Sequence, residues 1–360
     1  MKDPCPARRG VGRIKHSIIR AAAFAVSLFT LSMLLSACKH VPEKRTYTIF
    51  DCFDTVITLT AYTDDAEAFD RAAKEAEETF TRLHRIFDIY NRYDDISGLA
   101  EVNARAGKPV RVEPEAAELL ALGKEYEHLT GGRVNIAMGA VLKLWHECRE
   151  NAAADPSSAA IPSEDDLIAA SRHCDIKELI VDEPAHTVML ADPNMSVDVG
   201  AIAKGYAADK AAEKLREYGF PFMLNCGGAV LTYGVKPDGN DWSAGIADPA
   251  GGDGFAAVVT VDGAALSTSG SYLRNFTVDG VSYGHIIDPA TLYPPEGTAS
   301  VSVLVNGIGG AALADALSTA CYIMGKDEGI AFVKDVGAEA LFVLPSGGIE
   351  ATEGMKLREP

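Results

Sequence analysis

The 360-residue sequence is short of the features that usually give a chain's chemistry away. It has no G-x-x-x-x-G-K-[ST] phosphate loop, no G-x-G-x-x-G fingerprint and no G-x-S-x-G nucleophile elbow. It is poor in positive charge, with 33 Lys and Arg against 51 Asp and Glu, for a net charge of −18. No basic stripe studded with aromatics is visible, so a nucleic-acid partner is excluded. Cysteine is sparse and scattered. Apart from Cys5 and Cys38 there are Cys52, Cys148, Cys174, Cys226 and Cys321, with no C-x-x-C among them. Neither a zinc site nor a disulfide framework is indicated. No repeat of fixed period and no long linker divides the chain.

Long apolar runs are equally scarce, and the clearest is N-terminal. Lys2, Arg8, Arg9, Arg13, Lys15 and Arg20 precede an uncharged run, Ala21 to Leu35, which closes with Leu35-Ser36-Ala37-Cys38. The run falls short of the ~20 residues a membrane span needs. It reads as a secretory signal of the bacterial lipoprotein type over residues 1–37, with Cys38 the lipidated new N-terminus. Residues 38–45 then form a tether and 46–358 the functional domain. Residues 1–37 carry six positive charges and one negative, so the remainder stands five units below −18, at −23. The expected location is the bacterial cell envelope, lipid-anchored on the extracytoplasmic side.

What is present is a mixture of both secondary-structure periods. Tyr47 to Tyr62 alternates and is rich in β-branched residues, which predicts a strand pair. Asp64-Asp65 should cap a long helix whose apolar face is Phe69, Ala73, Ala76, Phe80, Leu83, Phe87 and Tyr90. Pro114 starts a further helix, ended by Gly131-Gly132. Asn151 to Pro162 reads as a low-complexity surface loop, and Ser163 caps a helix to Ser171. Pro221 to Tyr233 predicts one strand kinked at Gly227-Gly228, and Ser282 to Pro289 a strand ending in a turn. More strands are expected between Trp242 and Ser269, then a helix over Gly310–Met324 between two last strands. The pattern is that of one α+β unit, with room for two lobes.

Three stretches carry chemistry. In Ser196 to Asp209 (SVDVGAIAKGYAAD) a β-favouring run meets Gly200 and a helix follows through Leu215 to Tyr218. Free amides and the dipole at a helix start suit an anion, Lys204 adds a cation, and Asp198 adds an acceptor. Gly200 permits a close approach or positive φ. Taken alone, the stretch reads equally as an ordinary helix start with a solvated lysine. In the apolar helix after Gly310, Asp315 is the one charged residue, and Thr319 lies on the same face one turn on. A carboxylate with a hydroxyl is hard-oxygen ligation, which suits Mg²⁺, unless Asp315 only caps or pairs structurally. In Gly284-His285-Ile-Ile-Asp288-Pro289, His285 has the near-neutral pKa of a general base, though a lone histidine is also commonly structural. Leu266 to Tyr272 (LSTSGSY) reads as a hydroxyl-rich turn, and Asn225-Cys-Gly-Gly228 as a bulge or a close approach to a flat ligand.

VDVGAIAKGYAAD, FMLNCGGAV, LSTSGSY, GHIIDP and ADALSTA, in that order after VNIAMGAVLKLW, resemble the FAD:protein FMN transferases, or ApbE-like flavin transferases, from about Thr46 to Leu344. The resemblance implies a T-fold-like α+β fold of two lobes with an FAD cleft between them. It implies Mg²⁺ held by the Ala201 carbonyl, Asp315 and Thr319. It also implies flavin contacts at Phe53, Tyr90, Arg133, Val134, Asn135, Asp198, Lys204 and Ile287, with His285 as base. The activity implied is transfer of FMN from FAD to a Ser or Thr hydroxyl of an exported or membrane-bound respiratory flavoprotein, releasing AMP. The alternatives are a Mg²⁺-dependent FAD pyrophosphatase giving FMN and AMP, or a flavin-binding lipoprotein without chemistry. The sequence departs from the family at Leu292, where glycine is usual, so another turn is expected there. Asn135 stands where aspartate is common.

Overall fold

The computed structural model describes residues 40–358 except 253 and 308. The expected signal segment and Cys38 lie outside the described residues. Glu43–Pro360 forms one compact unit. It opens with the hairpin β1 (Lys44–Cys52) and β2 (Thr55–Tyr62), then α1 (Ala66–Phe87) and α2 (Leu99–Ala104). β3 (Val110–Arg111), α3 (Pro114–Leu129), α4 (Gly139–Ala154) and α5 (Glu164–Ser171) follow. Next come β4 (Leu179–Asp182), β5 (Thr187–Leu190), α6 (Ala203–Leu215), β6 (Phe222–Cys226) and β7 (Ala229–Tyr233). β8 (Ser243–Ala247), β9 (Phe255–Thr260), β10 (Ala264–Gly270), β11 (Asn275–Val278), β12 (Val281–Gly284) and β13 (Ser300–Asn306) lead to α7 (Ala311–Met324) and α8 (Lys326–Asp335). β14 (Glu339–Val343), β15 (Ile349–Ala351) and β16 (Leu357–Arg358) end the described chain.

One eight-stranded antiparallel sheet, in the order β1-β2-β6-β7-β10-β13-β14-β15, organises the fold. Period-2 alternation divides its side chains between two cores. Leu59, Leu224, Leu231 and Ala265 face a core shared with α1, α6 and the start of α7. Val230, Leu266, Leu304 and Leu341 face the small sheet β16-β9-β8. A separate cluster built on Met138, Val141 and Trp145 of the α4 region packs Leu167, Phe276 and Ile287.

Local rules account for most elements. Asp65 caps α1 by accepting the Ala68 amide at 2.8 Å, and Ser163 caps α5 through the Asp166 amide at 3.1 Å. The expected face of α1 is buried as far as Phe87, but the helix stops there. Tyr90 is 65% exposed, because Asp88 captures the Tyr90 and Asn91 amides in a turn. α4 runs on to Ala154, so the first third of the expected 151–162 loop is helical; alanines there favour helix over loop. The stretch at Met195–Val199 forms a single bridge, Met138 to Ser196, and no strand. Gly227 and Gly228 have φ of +62° and +108° and turn the chain between two strands where a kink in one was expected. β12 ends at Gly284, so His285 lies just past the strand.

Helices α6 and α7 cross backbone to backbone. A Cβ added at Gly205 would lie 2.2 Å from the Ala311 carbonyl oxygen and 2.4 Å from its carbon. Both are backbone atoms, so neither helix can yield cheaply. At the same crossing Asp209 accepts the Ala311 and Ala312 amides at 3.0 Å each, which satisfies two of the unpaired donors at the start of α7. Gly205→Ala is therefore expected to destabilise by at least the about 1–3 kcal/mol of an overpacked core. Gly200→Ala, whose added Cβ meets only the Asp198 carboxylate at 3.1 Å, should be far milder. Urea denaturation of the two variants checks this, and equal midpoints would contradict the close crossing.

Candidate active site

Every candidate named from the sequence except Cys38 lines one cleft of about 920 Å³. That is near the upper end of the roughly 300–1,000 Å³ usual for ligand sites. Its lining draws on two packing clusters: Phe53 and Ala203 belong with the main core, and Leu142, Trp145, Phe276 and Ile287 with the Trp145 cluster.

Asp315 is 4% exposed on α7. One carboxylate oxygen accepts the Gly205 amide at 2.7 Å, an amide left free because it lies in the first turn of α6. The other accepts the Ser267 hydroxyl. Ser269, two residues along β10 and so on the same face, bonds Ser318 at 2.8 Å and Thr319 at 3.1 Å. The hydroxyl-rich stretch is thus a strand and not a turn, and its alternate serines orient the acid and the hydroxyl of α7.

The donors fit a small hard cation. Asp315, Thr319 and Ala201 all border the cleft and offer only oxygen, and each Asp315 oxygen keeps a lone pair beyond its one hydrogen bond. Asp209 lies close enough to Asp315 that the negative charge adds to burial in raising its pKa to about 6. Two neighbouring buried carboxylates make a site that favours a cation. Among the described residues no group of three or more His, Cys, Asp or Glu could hold a metal, so a cation here would rest on the one carboxylate of Asp315 with hydroxyl and carbonyl oxygens.

His285 is partly buried in the same cleft. Its Nδ1 lies 3.3 Å from the Arg274 carbonyl oxygen, which can only accept, so Nδ1 carries the hydrogen and Nε2 the lone pair. Burial, then the charges of Arg274, Arg149 and Lys204, lower its pKa to about 4. The near-neutral value expected from the sequence is corrected here. The imidazole is neutral at pH 7 because it is desolvated among cations.

The remaining candidates differ in how free they are. Asp198 is partly exposed to the cleft and accepts the Gly200 amide at 2.8 Å; desolvation raises its pKa against that bond and against His146 and Arg149. Gly200 does not adopt positive φ. Tyr90 stacks on His146 at 5.0 Å with rings 30° apart. Arg133 is engaged by Glu328 at 3.0 Å and Asp288 at 3.9 Å. Asn135 spends both ends of its amide on the Cys174 carbonyl (2.9 Å) and the Ala137 amide (2.8 Å). Val134 and Ile287 are buried wall residues.

Phe53 has φ +54° and donates its amide to His84 Nδ1 at 3.3 Å. Leu292 has φ +68°, so its turn takes the left-handed conformation that glycine would adopt freely. The Trp145 indole donates to the Leu292 carbonyl at 3.0 Å and holds it there.

Sequence reasoning missed Ser267 and Ser269 as orienting groups, Asp209 as the cap of α7, and the His146–Arg149 pair on α4. For the serines the signal was their i, i+2 spacing. For Asp209 there was none, since its partner lies a hundred residues on.

A profile of the ApbE family matches residues 53–342. The FAD:protein FMN transferase of Treponema pallidum (strain Nichols) is 36% identical over 298 residues, covering 78% of this chain and 79% of that protein. The crystal structure of the ApbE protein from Thermotoga maritima superposes with a TM-score of 0.76 at 29% identity, over 86% of this chain and 97% of that one. The apo form of the Pseudomonas stutzeri flavinyl transferase ApbE gives 0.71 at 26% identity, over 86% and 94%. With the family profile spanning most of the chain and the architecture shared with solved ApbE structures, the protein belongs to the ApbE family of FAD:protein FMN transferases.

Proposed function

We propose that the protein transfers FMN from FAD to a Ser or Thr hydroxyl of an acceptor flavoprotein and releases AMP. The observation that carries this is His285: a neutral imidazole, its Nε2 lone pair available, in one cleft with the oxygen donors of Asp315 and Thr319. The acceptor hydroxyl gives its proton to Nε2 while its oxygen attacks the FMN phosphorus. The bond from that phosphorus to the AMP phosphate oxygen breaks, and AMP leaves with the electron pair. Asp198 accepts from a polar edge of the flavin, and Lys204 faces the phosphates from the start of α6. Asp315, Thr319 and the Ala201 carbonyl would hold Mg²⁺, which when bound neutralises pyrophosphate charge. Positioning and electrostatics supply most of the acceleration. A lipid on Cys38 would keep the enzyme on the extracytoplasmic membrane surface, beside respiratory flavoproteins that serve as acceptors.

Incubating the soluble part with FAD, Mg²⁺ and a flavoprotein acceptor, then reading in-gel flavin fluorescence, tests the activity. Asp315→Asn keeps the shape and loses the charge. It should abolish transfer and any FAD hydrolysis with little change in melting temperature, and wild-type transfer by this variant would refute the cation assignment.

His285→Ala should leave FAD affinity nearly unchanged and slow single-turnover transfer by roughly 10²–10⁴-fold. Because its pKa in the free enzyme is about 4, the acid limb of kcat/KM should lie near that value, with full activity retained through neutrality. A limb near neutrality that disappears in the variant would contradict this placement. Cys38→Ser should release the protein from membranes without altering the activity of the soluble enzyme. A variant that stays membrane-integral and unprocessed would make residues 21–35 a true span.

A further inference from the structure

Ser267 and Ser269 are the first two rungs of a longer ladder. Alternate residues of an extended chain stand about 6.6 Å apart on one face, and a helix rises about 6 Å over four residues and about 4.5 Å over three. Residues 267, 269 and 271 thus keep step with 315, 319 and 322 of α7. Ser267 donates to Asp315, Ser269 bonds Thr319 at 3.1 Å, and the Tyr322 hydroxyl donates to Ser271 Oγ at 2.7 Å. The first two rungs orient oxygens at the cleft. The third lies behind it: Tyr322 is 3% exposed, and neither Tyr322 nor Ser271 is a lining residue.

What the third rung holds is the turn that orients the base. Ser271 opens the connection from β10 to β11, and the Arg274 carbonyl in that connection takes the Nδ1 hydrogen of His285 at 3.3 Å. The Asn275 side-chain amide closes the turn by donating to the Ser271 and Tyr272 carbonyls at 2.9 and 3.1 Å. Ser271 also packs on Gly284, the residue before His285, where an added Cβ would lie 2.4 Å from Ser271 Cβ. Leu273, further along the turn, is 82% exposed, so the interior grips the turn at Ser271 and not at its tip. A main-chain carbonyl on a surface turn orients an imidazole only as well as the turn itself is held. If the turn drifts, the ring loses its aim and its tautomer together, and a ring with hydrogen on Nε2 cannot take the acceptor's proton there.

We propose that Tyr322 is a positioning residue for His285. By holding Ser271 it ties the base to the same helix that carries Asp315 and Thr319, so base and oxygen donors keep a fixed separation. This rests on the FMN-transfer reading above. The Tyr322 hydroxyl takes no part in the chemistry; the proton still goes to His285 Nε2 and the electron pair to AMP.

Tyr322→Phe deletes one hydroxyl and keeps the buried ring. The full soluble enzyme is labelled with ¹⁵N-histidine, and the His285 resonances are identified by their loss in His285→Ala. The wild type should show hydrogen on Nδ1, and Tyr322→Phe and Ser271→Ala should each show a mixture of tautomers. With FAD, Mg²⁺ and a flavoprotein that the wild type labels, each variant should slow single-turnover transfer by roughly 10–100-fold. FAD affinity by fluorescence quenching should stay within a few-fold. The double variant should be no slower than either single one, because both break the same bond. A wild-type tautomer in Tyr322→Phe would overturn the proposal. So would transfer by that variant at the wild-type rate, or rate losses that multiply in the double variant. The tautomer is read without an acceptor, so failure of the wild type to label any flavoprotein would sink the transfer reading while the resonances still decide the role of Tyr322.

Discussion

The Asp209 carboxylate on the first two amides of α7 is the contact on which the site depends. The start of α7 is buried, and its amides need acceptors that water cannot supply. Asp209 reaches them only because α6 has a glycine where it meets Ala311. The same approach delivers the Gly205 amide to Asp315, so one crossing fixes both the helix and the acid it carries. Burial, with the Asp315 charge nearby, makes Asp209 hold its proton more tightly than an exposed aspartate.

Around His285 the sign reverses. Lys204, Arg149 and Arg274 gather around a histidine that burial already keeps neutral. A body with a net charge of −18 thus gathers three cations whose charges bear on this one histidine. That arrangement is what a reaction splitting a pyrophosphate requires: cations for the oxygens, and a base that stays unprotonated among them.

Much of this was legible in the sequence where the determinant is local. The α1 and α5 caps, the β1–β2 alternation and the Asp315–Thr319 face all follow from spacing within a turn or two. The reading lost accuracy where the deciding partner is remote. Met195–Val199 has the composition of a strand but only one bridging neighbour. Gly227-Gly228 reads as a kink until the pairing of β6 with β7 is known. The pKa of His285 could not come from its own residue type, because the three cations that set it lie on separate segments. Tyr90 continued a helical period that Asp88 had already ended.

Phe53 and Leu292 hold left-handed backbone with side chains that disfavour it, each at roughly 1–2 kcal/mol against glycine. Phe53 lines the cleft, and Leu292 belongs to the loop that anchors Trp145 behind it. Glycine would relieve that strain, but Phe53 packs edge-on against Phe80 and His84 and Leu292 packs against the Trp145 cluster, so either truncation forfeits more packing than the backbone regains. The strain at these two turns is held in place by the same side chains that cause it.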